Sequence, residues 1–184
     1  MTLTTIRTAA ASSLAAAGLL FTLAACSTPA ATQPTTSAPD STATASSTAA
    51  AGPCAGVKVI VDSGALKQAA ADKTVCVPVD AKTPASKVLE EADVKTVGTT
   101  QYPDAVCRVN GVPAADFEIV HKNGTYKEEC SGMPAAFAYW AMWVKPATGD
   151  WAYAQEGLAT LQVSPGESLE LLYSVDGEPA TPKA

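Results

Sequence analysis

The sequence predicts an α+β fold, mostly β, in which one short helix packs on a sheet and two disulfides staple the strands. Three observations predict it. Runs of alternating Val, Ile and Thr recur between Gly, Pro and Asn turn signals. Only residues 83–91 (TPASKVLEE) read clearly as a helix. Four cysteines, Cys54, Cys76, Cys107 and Cys130, form an even set downstream of an export signal.

That signal occupies residues 1–25. Arg7 charges its start, and residues 9–25 carry no charge but are too short and too rich in small residues for a permanent span. Leu23-Ala24-Ala25-Cys26 has the form of a bacterial lipobox, which predicts acylation of Cys26 after cleavage. A single acyl chain holds a protein to a membrane only reversibly. The two or three chains of a bacterial lipoprotein cysteine make a stable anchor at the outer face of the cell membrane. Residues 26–53 then form a tether. After Cys26 they are Ser, Thr, Ala and Pro except for Gln33, Asp40 and Gly52, and nothing there offsets the entropy of ordering the chain.

Residues 54–184 have the length of one domain. Of the 12 Lys and Arg only Arg7 precedes Cys54, and of the 18 Asp and Glu only Asp40 does, so the domain carries the whole net charge of −6. Its charges are scattered, with no cationic stripe, which excludes a nucleic-acid partner. Four cysteines allow three pairings. The sequential one, Cys54 with Cys76 and Cys107 with Cys130, is preferred because each bond then joins adjacent strands. The second loop alone would contribute about 3 kcal/mol. No CxxC pair occurs and His121 is the only histidine, which argues against zinc or another metal.

Residues 56–62 (GVKVIVD) and 74–79 (TVCVPV) read as the first two strands, joined through a Ser63-Gly64 turn. Pro78 marks an edge or a strand end. In the helix, Thr83 is the expected cap and Pro84 the first helical residue. Ala85, Val88, Leu89 and Ala92 make its apolar face. Residues 94–99 and 105–109 are the next strands, with Asn110-Gly111 as a turn. Residues 117–120 and 125–130 form a hairpin around Asn123-Gly124, beside which His121 reads as solvated surface. Residues 158–163 and 168–173 form a last hairpin around Pro165-Gly166.

Residues 139–144 (YWAMWV) alternate Tyr139, Ala141 and Trp143 against Trp140, Met142 and Val144. Residues 145–150 are a loop, and residues 151–153 return as a strand. Tyr139, Trp140, Trp143, Trp151 and Tyr153 therefore gather in 15 consecutive residues that contain every Trp of the chain. Either one face of this strand is core and the other is covered, or part of the cluster is exposed as a recognition surface.

The order of a helix ending near Leu89, Cys107-Arg108-Val109-Asn110-Gly111-Val112-Pro113, Cys130, Tyr139-Trp140-Ala141-Met142-Trp143 and Gly149-Asp150-Trp151-Ala152-Tyr153 resembles the transcobalamin-like C-terminal domain family. That family occurs in exported actinobacterial proteins and in the vertebrate cobalamin carriers. The resemblance covers roughly residues 54–175. It implies a small β-grasp-like domain that closes over one face of a corrinoid. This chain departs from the carriers in lacking their helical partner domain, so the resemblance implies weak binding unless another protein completes the site. The Trp151–Tyr153 region is where ligand contacts are expected.

An enzyme is not expected. His121 is the one histidine, no serine sits in a nucleophile elbow, and the pairs Glu90-Glu91 and Glu128-Glu129 are sequence neighbours that do not face each other across a cleft. No phosphate loop or dinucleotide glycine pattern appears, and no cofactor is expected. Two functions remain. One is a membrane-anchored binding module that captures a small-molecule ligand, with a corrinoid as the implied example, and presents it to a transporter. The alternative is an envelope structural or protein-interaction adaptor with no small ligand.

Overall fold

The computed structural model describes residues 53–183. The expected leader, the expected lipidation site Cys26 and the expected tether as far as residue 52 lie outside the described residues. Eleven strands and one α-helix follow in order: β1 Val57–Asp62, β2 Lys73–Val77, β3 Thr83–Pro84, α1 Ala85–Glu91, β4 Thr96–Gly98, β5 Val106–Val109, β6 Ile119–His121, β7 Gly124–Tyr126, β8 Ala138–Lys145, β9 Ala152–Tyr153, β10 Gln162–Val163 and β11 Ser168–Val175. The protein is mostly β with one short helix on a sheet. Five strands form the main sheet in the order β2-β1-β11-β8-β9, and three two-stranded ladders surround it.

Alternation within each strand sorts the main sheet into two faces. The inner face is apolar throughout: Val57, Val59 and Val61 of β1, Leu169, Leu171, Tyr173 and Val175 of β11, and Ala138 and Trp140 of β8 are all buried. Against it pack Ala85, Val88, Leu89 and Ala92, the expected apolar face of α1. Val109, Val112, Ile119, Leu158, Leu161 and Val163 from the peripheral segments complete the core.

Both disulfides take the sequential pairing, Cys54–Cys76 and Cys107–Cys130, each with Cα atoms 5.6 Å apart. The first ties the segment entering β1 to β2, whose edge position and end before Pro78 agree with the proline's missing donor. At the end of β1, Asp62 Oδ1 accepts from Gly64 N and Asp72 Oδ1 from Ser63 N, both at 2.7 Å. Gly64 has φ of 48°, and a Cβ there would collide with the Tyr173 carbonyl oxygen.

The helix begins later than the sequence suggests. Thr83 and Pro84 pair as β3 with Val163 and Gln162 of β10, so neither is helical. Thr83 Oγ1 donates to Ala81 O instead of capping. Ala85 N, an orphan donor of the first turn, reaches Leu161 O at 2.9 Å. A tertiary carbonyl thus replaces the predicted side-chain cap.

The Asn110-Gly111 turn forms as expected, with φ of 49° and 80° and a Val109–Val112 bridge. The β6–β7 turn sits one residue earlier than predicted, at Lys122-Asn123, and Gly124 pairs with His121. The expected last hairpin does not form. Ser164 to Glu167 makes the turn around Pro165-Gly166, yet β10 leaves to pair with β3 while β11 enters the sheet centre, parallel to β1 and antiparallel to β8. Local turn chemistry was read correctly, but pairing was decided by the burial available to β11.

Leu89 is 2% exposed beneath the sheet. Leu89→Ala is expected to lower stability by about 2–4 kcal/mol in urea unfolding with disulfides intact. The exposed Lys87→Ala on the same helix should change it by less than about 0.5 kcal/mol. Equal effects would show that α1 is not held by its apolar face.

Candidate ligand-binding site

The outer face of the main sheet is organised in cross-strand rows, because directly opposed residues share a face. One row runs Cys76, Lys58, Ser168, Lys145. The next runs Thr74, Ile60, Glu170, Trp143, Tyr153. Beyond it lie Asp62, Leu172 and Ala141, then Ser174 and Tyr139. Among the described residues no α-helix covers this face, although the 3-10 turn Gly64–Leu66 packs against Leu172 at its far end. A turn at Asp176-Gly177, with φ of 53° and 86°, instead sends the C-terminal segment back. Pro179 comes against Gly64, Pro182 is buried, and Lys183 reaches the row of Lys58 and Lys145.

The five aromatic residues singled out in the sequence divide between the faces. Trp140 points inward, 6% exposed, with Nε1 donating to Val112 O at 3.1 Å and its ring edge-on to Tyr173 at 5.2 Å. It is a core residue, placed there by the alternation of β8. Tyr139 and Trp143 are half-buried on the outer face, and Tyr153 is 45% exposed. The Trp143 and Tyr153 rings meet edge to face at 5.3 Å. Burial, with the neighbouring Tyr139 hydroxyl, raises the pKa of Tyr153. Trp151 is half-buried just before β9, with Lys145 Nζ 5.9 Å from its ring centre. Among the described residues, neither Trp143 Nε1 nor Trp151 Nε1 has a hydrogen-bond acceptor, although both atoms are shielded from solvent.

Glu170 stands at the centre of this face, 2% exposed. Burial, and after it Asp62, push its carboxyl up to about 7, with Lys58 and Lys183 drawing it partly back. The sequence reading missed Glu170, Lys58, Lys145 and Lys183. For Glu170 a signal existed: a lone carboxylate inside the apolar run SLELLYSV. The lysines carried none, since only strand order brings Lys58 beside Lys145, and only the returning C-terminal segment brings Lys183 to them.

The other candidates are structural. His121 is not solvated surface: it stacks on Phe137 at 4.2 Å with rings 13° apart, and Asp176 Oδ2 accepts from the adjacent Lys122 N. Cys107, Glu128 and Cys130 converge, but both sulfurs are in the disulfide. Arg108 Nη1 donates to Cys130 Sγ and Nη2 to Glu128 O, each at 2.7 Å. The Glu128 carboxylate accepts from Tyr126 and from Cys130 N. Burial and that hydrogen bond push Tyr126 up to about 12. Asn110 accepts from Lys95 N and donates to Ala71 O. The segment Cys107 to Pro113 is therefore a clasp, not a binding loop.

No family model, curated protein or solved structure matches the chain. Among the described residues no helix is long and apolar enough to cross a membrane.

Folded Glu170 keeps its proton to about pH 7, whereas the unfolded carboxyl loses it near 4.5. The folded state therefore binds more protons in between. The stability tied to this group is complete below pH 4.5 and falls away as pH rises through about 7. Glu170→Gln should exceed the parent in stability at pH 8 by about 1–2 kcal/mol, allowing for solvent near the cleft, and lose that advantage at pH 4.5. Urea unfolding at both pH values checks this. An equal difference at both would show that Glu170 is not held protonated.

Proposed function

We propose that this protein is a non-catalytic, lipid-anchored binding module at the outer face of the cell membrane that captures a small ligand on the outer face of its main sheet. One observation carries the reading: Tyr139, Trp143, Trp151 and Tyr153 gather at one end of a sheet face that no α-helix covers among the described residues. Aromatic side chains supply large contact area at small entropic cost.

The strand order supports a β-grasp relationship. The first strand lies between the second and the last, first and last are parallel, and the helix follows the first hairpin. That relationship, with the quoted motifs, favours the transcobalamin-like family and a corrinoid as ligand. The lipid anchor rests on Cys26 and the apolar leader before it. The adaptor reading draws instead on Tyr102, Val120 and Met133, which are 49%, 75% and 65% exposed away from the aromatic strip.

Calorimetry of the oxidised protein with cobalamin and cobinamide should give saturable one-to-one heat that weakens about tenfold or more in Trp151→Ala and Tyr153→Ala. Tryptophan fluorescence is unsuitable, because corrins absorb the emitted light. No heat at high micromolar ligand would remove autonomous corrinoid binding and favour the adaptor. In an expressing bacterium, Cys26→Ala should move the protein from the membrane to the soluble exported fraction. Unchanged membrane association would overturn the lipid anchor.

A further inference from the structure

The row at the open end of the outer face is chemically unlike the rest of the domain. Lys58, Ser168 and Lys145 stand side by side on β1, β11 and β8. Neighbouring strands lie about 4.8 Å apart, so the two lysines flank the serine within about 10 Å. Lys183 closes the row from the returning C-terminal segment, and Trp151 forms a wall. Together they line a half-enclosed cleft of about 210 Å³. None of the three ammonium groups is in an ion pair among the described residues, whereas Lys73, Lys87 and Lys127 each are. Three lysines thus line one cleft in a chain of net charge −6, and the charges near enough to act on Glu170 behind it are Lys58, Lys183 and Asp62.

We propose that this cleft binds the phosphate of a small phosphate ester, whose ring rests on the Trp151 indole. Lysine ammonium groups bind phosphate as point charges that can approach its oxygens from several directions. The Ser168 hydroxyl adds a donor on the floor. Lys145 beside the Trp151 ring sets anion and ring sites next to each other. Behind Ser168 on the same strand is Glu170, whose raised pKa limits its repulsion of an incoming anion. The inference deepens the outer-face reading, since Trp151 belongs to both.

The test titrates the oxidised full chain with phenyl phosphate, inorganic phosphate and phenol by calorimetry. Phenyl phosphate should bind most tightly, inorganic phosphate more weakly and phenol not at all, with affinity falling as salt rises. Lys58→Gln and Lys145→Gln should each weaken phenyl phosphate about fivefold, and Trp151→Ala should remove its advantage over inorganic phosphate. Near-ultraviolet circular dichroism verifies that each variant is folded. Vesicles of phosphatidylglycerol, compared with phosphatidylcholine, separate the sources of the ester. Sedimentation with the former that Lys58→Gln abolishes would support the site and make the phosphate a lipid headgroup. Absence of saturable binding to any phosphate probe, or binding indifferent to both lysine variants, would overturn the proposal. If cobinamide, which has no phosphate, still binds through Trp151 in that case, the aromatic reading survives alone. If it does not, both readings fall.

Discussion

The structure depends on the docking of β11 between β1 and β8. Seven of its eight residues are buried, on both faces. Such a strand cannot sit at an edge, because its unpaired backbone groups would be buried without partners. It pairs over five residues with β1 and over eight with β8. The parallel pairing joins the first strand of the domain to the last, so everything between them must form a closed excursion. The helix, the three small ladders and the second disulfide all belong to that excursion.

The peripheral segments contain little regular structure, and their order comes from specific links. Arg108 joins the carbonyl of Glu128 to a disulfide sulfur, Asn110 ties Lys95 to Ala71, and Trp140 holds Val112. These bonds connect positions 15 to 39 residues apart. A disulfide then limits how far the unfolded chain can separate the same segments. The most distinctive sequence motif, Cys107 to Pro113, is accounted for by this clasping.

Where the chemistry was local, the sequence disclosed the structure. β1 was legible from GVKVIVD, the apolar face of α1 from its spacing, and the turn at Asn110-Gly111 from residues that tolerate positive φ. The sequential disulfide pairing forms as expected, although Cys107 of β5 is joined to Cys130 in a loop and not to a neighbouring strand. Long-range pairing was not legible. Nothing local distinguishes a β10–β11 hairpin from two strands that part after a good turn, and Thr83-Pro84 carries a strong helix-start signal that tertiary pairing overrides. The candidate site shows the same division. Alternation placed Trp140 and Trp143 on opposite faces, but only strand order reveals which face is core. It also brings Lys58 of β1 beside Lys145 of β8 across Ser168.

The two faces of one sheet therefore have different physical roles. The inner face is apolar and closed by α1 and the clasped segments, which secures the fold. The outer face contains what a stability-driven design would omit: a buried carboxylate, a cleft lined by three lysines and, among the described residues, two indole N–H groups without acceptors. Each is an unfavourable arrangement taken singly. They occur at adjacent rows of the same face, on strands whose positions are fixed by the burial of β11. Rigid strands hold side chains more accurately than loops do, so a recognition surface built there is preorganised. The stability of the inner face offsets the unfavourable arrangements carried by the outer one.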